Sequence, residues 1–235
     1  TVDYVDGGEI QIDDAQAEAK LKEIMKQSTS STSDYIFALT ILDPRMLGRI
    51  DGWVAQVEEK DKYASPHVMA VTEYSVAIAR LLGLPQEQLD TIKLAAIVHD
   101  VGKMGLPAQI LQKPEDELED NELLWIMKHP IDGATLLEGF PELARLAPLV
   151  LAHHEEYDGN GYPAGLAGEA IPLGARIIHV ASDYHKMISP LRTGPGISQQ
   201  QAQQALRSGA GKAYDPGIVE ALIACEQQGL VALSR

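Results

Sequence analysis

Seven histidines, at positions 67, 99, 129, 153, 154, 179 and 185, carry the chemical signal of this sequence. His99-Asp100 ends the apolar run Leu94–Val98 and is followed by Val101-Gly102-Lys103, so two metal-capable side chains stand where a core helix stops at a glycine. His153-His154 repeats that design after Leu149–Ala152. His129 precedes Pro130 at the end of a third amphipathic helix, His67 opens a fourth just after Pro66, and Asp183 lies inside a fifth that starts near Pro172. Any one of these, taken alone, is better explained as a hydrogen-bonded core or cap residue. Five histidines and two or three aspartates at the buried ends of consecutive helices are harder to explain that way, because burying so many ionisable groups without a shared partner is very costly. A metal centre resolves that cost. Imidazole and carboxylate without thiolate suit Fe, Mn or Zn rather than a Cys-type structural zinc, and one carboxylate can bridge two ions. His179, in Ile177-Ile178-His179-Val180, reads as a core histidine, and His185 as a surface or supporting residue.

The elements that must position these residues are helices. Apolar and small residues recur at helical spacing from Ala15 onward, and the β-branched alternation of strands is scarce. The pattern predicts an all-α chain with helices over 14–27, 35–60, 67–83, 86–99, 119–128, 131–138, 142–154, 172–187, 198–207 and 215–228. Asp43-Pro44, Pro85, Pro141 and Pro216 mark starts, and Gly83, Gly102 and Gly229 mark ends. The polar run Gln27–Asp34 reads as a linker or N-cap region, which divides the chain into a linker or helical segment at 1–34 and a functional domain at 35–235. Acidic residues from Glu115 to Glu122 form a solvated loop and helix start.

The 235 residues are 45% hydrophobic and 23% charged, the composition of a soluble globular protein. No apolar run reaches the roughly 18 residues of a membrane span. A formal charge of −15 repels nucleic-acid polymers and anionic membranes, so a phosphate ligand must be held by local cations. Cys225 is the single cysteine, which excludes an internal disulfide and a Cys-rich zinc site and suits a reducing cytoplasm. The chain opens at Thr1 with no signal peptide and no initiator methionine, as expected for a piece of something longer.

His99-Asp100-Val101-Gly102-Lys103, with Gly105-Leu106-Pro107, Ile110–Pro114 and Lys128-His129-Pro130 behind it, resembles the HD phosphohydrolase superfamily. His153-His154-Glu155, Asp158-Gly159-Asn160-Gly161-Tyr162-Pro163 and Gly165-Leu166 are similar to its HD-GYP subfamily. The likeness runs from about Asp61 to the C-terminus and includes Tyr214-Asp215-Pro216. It implies a helical bundle with a C-terminal GYP extension, a binuclear metal centre, and hydrolysis of the bacterial second messenger cyclic di-GMP to pGpG or GMP. By the same resemblance His67, His99 and Asp100 hold one metal, and Asp100 bridges to a second held by His129, His153 and His154. The extra glutamate of trinuclear members falls at Tyr63, so two divalent ions are expected, Fe or Mn first, with Zn, Ni or Mg as other occupants. Catalysis then falls to His99, Asp100 and Lys103, and substrate binding to Lys103, Arg192 and Tyr162. In relatives the GYP loop has been linked to partner proteins, and the domain is often attached to a regulatory module.

This chain departs from the family pattern in its last ligand, where relatives carry Ala-Asp-x-x-Asp and it reads Ala181-Ser182-Asp183-Tyr184-His185. Aligned without a gap the ligand position is Ser182, but a shift of register places Asp183 there, and Arg192 nine residues later keeps the offset of a substrate-binding arginine. Asp183 is the expected seventh ligand. A second basic residue after Arg192 is missing, and Val68-Met69-Ala70 replace a polar and basic pair after His67. Two other readings therefore stand beside the phosphodiesterase: a dimetal hydrolase of another cyclic nucleotide, and a degenerate domain that binds nucleotide or protein without efficient catalysis.

Overall fold

The structure, a computed structural model, describes residues 42–61, 63–114, 117–189 and 195–231. The predicted helix at 14–27, the linker to Asp34 and Arg192 lie outside the described residues. The described chain is helical: α1 (Pro44–Lys60), α2 (Ala64–Leu81), α3 (Gln86–Val98), α4 (Ala108–Leu111), α5 (Asp120–Met127), α6 (His129–Glu138), α7 (Ala147–Leu151), α8 (Leu173–Ile188), α9 (Gln199–Gly209) and α10 (Pro216–Gln227). Short 3₁₀ turns at Val101–Gly105, Ala144–Leu146 and Gly168–Ala170 connect them. Among the described residues there is no strand, and no helix is long and apolar enough to cross a membrane.

The helix boundaries follow from caps. Helix α1 starts at Pro44, not at 35, because the Asp43 carboxylate accepts from Arg45 N (2.7 Å) and Met46 N (3.2 Å), while proline fills a first-turn position that needs no donor. Asp215 caps α10 in the same way through Gly217 N and also pairs with Arg176 of α8 at 2.5 Å, which fixes the start of one helix against the side of another. The predicted helix over 142–154 is broken into the turn Ala144–Leu146 and the short α7. Pro148 is the reason: lacking an N–H, it belongs in the first turn of a new helix and not in the middle of a long one. The short α7 ends at Leu151, and His153 and His154 stand on the turn after it.

Helices α2 and α3 form the centre, with α8 and α10 packed on α2, and α7 on α3. The five residues Leu94–Val98 are completely or almost completely buried, so the C-terminal end of α3 is a core helix around its whole circumference, while its first turn is exposed. Burial of each large apolar side chain there contributes about 1.5–3 kcal/mol, and the helix delivers His99 directly into the interior. The turn Val101–Gly105 then lies backbone against backbone on α6: a Cβ on Gly102 would stand 2.0 Å from His129 O and 2.7 Å from Gly133 N. Only glycine permits that approach, and the approach brings Asp100 and Lys103 up to His129.

Candidate metal centre

Two groups of ligand-type atoms converge beside this packed core. One is His67, His99 and Asp100, the other His129, His153 and His154, and within each group one donor atom per residue lies within 4.8 Å of the others. His67 comes from the first turn of α2, His99 and Asp100 from the end of α3, and His129 from the start of α6. The Asp100 carboxylate stands between the groups. Its Oδ1 is 3.2 Å from His129 Nε2 and 4.0 Å from His153 Nε2, and its Oδ2 is 3.5 Å from His99 Nε2 and 2.7 Å from Lys103 Nζ.

The rings are oriented by backbone. His99, His129 and His153 each donate Nδ1–H to the carbonyl three residues earlier, at Ala96 (2.7 Å), Ile126 (2.6 Å) and Val150 (2.6 Å). A carbonyl only accepts, so each neutral ring carries its proton on Nδ1 and turns the Nε2 lone pair to the site. His129 Nε2 and His153 Nε2 then face each other at 3.2 Å with no proton between them, and Asp100 Oδ1 adds a third electron pair at that point. His129 could donate to both Ile126 and Asp100 only as an imidazolium, which burial opposes: burial pushes its pKa down. His99 Nε2 is buried and lacks any hydrogen-bond partner. A cation satisfies all of these atoms at once, so the residues present fit a pair of divalent metals.

The charge state agrees. Burial, with neighbouring histidine charges second, holds His67, His153 and His154 well below the usual imidazole range. Burial alone would raise Asp100, but the Lys103 ammonium at 2.7 Å, the largest opposing influence, helps keep the carboxyl well below the usual carboxylate range. The site at neutral pH is therefore a set of neutral imidazoles around one carboxylate.

Asp183, expected among the ligands, is in neither group. One residue on a helix is a rotation of about 100°, and α8 turns Ser182 to the site, with its Oγ 3.3 Å from His67 Nε2. Asp183 is instead 3.3 Å from His179 Nε2, accepts from the Tyr214 hydroxyl at 3.1 Å, and pairs with Lys186 at 3.1 Å. His185 is not at the surface: it is buried, with Nδ1 3.0 Å from His67 Nδ1. Lys103, Tyr63, Lys113 and Lys186 line a cavity of about 370 Å³ that opens over His67, Asp100, His129 and His154, with Leu118, Leu123, Ile126 and Met127 as its apolar wall. Lys113 and Lys186 escaped sequence reasoning, although Lys186 lies four residues after Ser182, on the same helical face.

The loop after the paired histidines closes on them. Tyr162 stacks on His154 with ring centroids 4.9 Å apart and planes at 14°, and its N–H donates to His154 O at 3.1 Å. The buried Glu155 carboxylate accepts from Ala164 N (2.7 Å) and Leu166 N (3.0 Å), and Asp158 N donates to Lys212 O at 2.8 Å. Gly161 passes so close to Glu156 N that a Cβ there would stand 2.1 Å away.

A family model described as HD domain matches residues 50–218. The chain belongs to the HD domain family. Among curated relatives of this HD domain, a cyclic di-GMP phosphodiesterase of Vibrio cholerae is 34% identical over 189 residues, 74% of this chain and 38% of that protein. The cyclic di-GMP phosphodiesterase response regulator RpfG of Xanthomonas campestris pv. campestris is 32% identical over 206 residues, 86% of this chain and 54% of that protein. The chain thus spans between about a third and about a half of the length of these relatives. In fold it is similar to an HD-GYP-type protein of Bdellovibrio bacteriovorus, with TM-score 0.59, 20% identity, and coverage of 91% of this chain and 63% of that one.

Proposed function

We propose that this HD domain is a metal-dependent phosphodiesterase that hydrolyses cyclic di-GMP to pGpG or GMP in bacterial second-messenger signalling. The observation that carries the reading is the convergence of His129 Nε2, His153 Nε2 and Asp100 Oδ1 on one point, with the other Asp100 oxygen turned toward His99 and Lys103. The names of the curated relatives support the substrate. His67, His99 and Asp100 hold one divalent ion and His129, His153 and His154 a second, with Asp100 between them. Iron or manganese suits this donor set first. When bound, the two ions supply Lewis-acid charge to a phosphate and lower the pKa of water for attack on phosphorus.

The protein's own residues do the rest. Lys103, held at 2.7 Å by Asp100, presents its ammonium to the cavity and neutralises a non-bridging phosphate oxygen. Lys186, paired with Asp183, and Lys113, paired with Glu122, line the same cavity as further cations for an entering anion. Tyr162, stacked on His154, lines the cavity, which supports its role in binding substrate, and Arg192 is the further cation of this reading. An attached regulatory module, a signalling partner at the 158–163 loop and a cytoplasmic location belong to the same proposal. Incubation of the protein with cyclic di-GMP and Mn(II) or Fe(II), followed by chromatography, tests it. The expected result is pGpG or GMP, with Lys103→Ala about 100-fold slower. Intact cyclic di-GMP beside cleaved cyclic GMP-AMP, or no cleavage of either, would overturn the assignment.

A further inference from the structure

The histidines of the site are not all held alike. A backbone carbonyl fixes the proton of His99, His129 and His153 on Nδ1. His67 instead has its Nδ1 3.0 Å from Nδ1 of His185, whose Nε2 lies 2.8 Å from Ser189 Oγ. Both groups in that chain, imidazole and hydroxyl, donate or accept equally well, so it can run in two directions. If Ser189 donates to His185 Nε2, His185 donates Nδ1–H to His67, and His67 carries its proton on the Nε2 that faces Ser182 and the cavity. If His185 donates Nε2–H to Ser189, His67 donates Nδ1–H to His185 and turns a lone pair to the cavity. Only the second arrangement receives a cation.

We infer that His185 is the positioning residue of His67, and that this reversible partner makes the His67, His99 and Asp100 half of the site the weaker of the two for a divalent ion. The inference rests on the two-ion reading above. Two neighbours on α8 act in the same direction: Ser182 offers His67 a neutral hydroxyl at 3.3 Å, and Lys186 brings an ammonium to the cavity. The other half has two of its three imidazoles locked by carbonyls. A carboxylate at 185 would accept only, and would hold His67 in its binding tautomer.

The test is stepwise removal of Zn(II) from the loaded protein by a competing chelator, with the remaining metal counted by mass spectrometry. The wild-type protein is expected to lose its ions in two steps of equal size, separated by about tenfold or more in chelator. His185→Asp should shift the easier step about tenfold toward tighter retention and His185→Leu about tenfold the other way, with the harder step unmoved. In a His67→Ala background only the harder step should remain, and changes at 185 should have no effect on it. Loss of both ions in a single step, or displacement of both steps together by His185→Asp and His185→Leu, would overturn the inference. A protein that binds no Zn(II) would instead remove the two-ion reading on which it rests.

Discussion

Ser182 and Asp183 differ by one position, and that position decides which of them faces the site. Ser182 Oγ stands 3.3 Å from His67 Nε2, whereas the Asp183 carboxylate is taken up by His179, Lys186 and Tyr214. Ser182→Asp should therefore raise metal retention and turnover, and Asp183→Asn should leave metal content unchanged while costing about 1–2 kcal/mol of stability through its lost charged hydrogen bonds. Metal analysis and thermal melting of the two variants check this; loss of metal in Asp183→Asn would return that residue to the ligand set. His99-Asp100 and His153-His154 were legible in the sequence because each pair ends an apolar run, whereas their grouping with His67 and His129 was expected from the family resemblance. The choice at 182 and 183 was not, because residue type favours the carboxylate and only helix rotation excludes it. Of the two places open to His185, surface or supporting, the structure shows the supporting one beside His67; the sequence left the choice open because a polar residue on a partly apolar helix gives no sign of which neighbour it meets.

At the scale of elements, the site depends on helix ends meeting one another. Helix α3 carries His99 to the centre, the turn Val101–Gly105 leans on α6, and the turn after α7 presents His153, held by Val150 O, and His154. Gly102→Ala places a Cβ against His129 O and must push α6 away. We expect a loss of about 3 kcal/mol together with weaker metal binding, read by denaturant unfolding and metal content; a variant with native stability would contradict the close packing. Most of these elements were readable from 3.6-residue periodicity and from Asp-Pro caps. The 3₁₀ turn and the split at Pro148 were not, since five-residue elements leave too short a pattern. Tyr162 was expected at the substrate from the family resemblance alone, and its stacking on His154 comes from the loop folding back through Glu155.

For the whole molecule, a chain of formal charge −15 acts on a phosphate substrate only if positive charge is concentrated locally. Lys103, Lys113 and Lys186 gather at one cavity, and a pair of bound cations would add the larger part of that field. The all-α class followed from helical spacing and the scarcity of strand alternation, whereas the shape of the cavity, with α5 supplying an apolar wall, depends on contacts far apart in sequence. On the proposed reading, six residues hold two divalent ions with Asp100 between them. Metal analysis of the purified protein beside Asp100→Asn tests it most directly. We predict two ions per chain in the wild-type protein and at most one in the variant, whereas an unchanged metal content in Asp100→Asn would contradict the bridging role, and no metal in either would contradict the site itself.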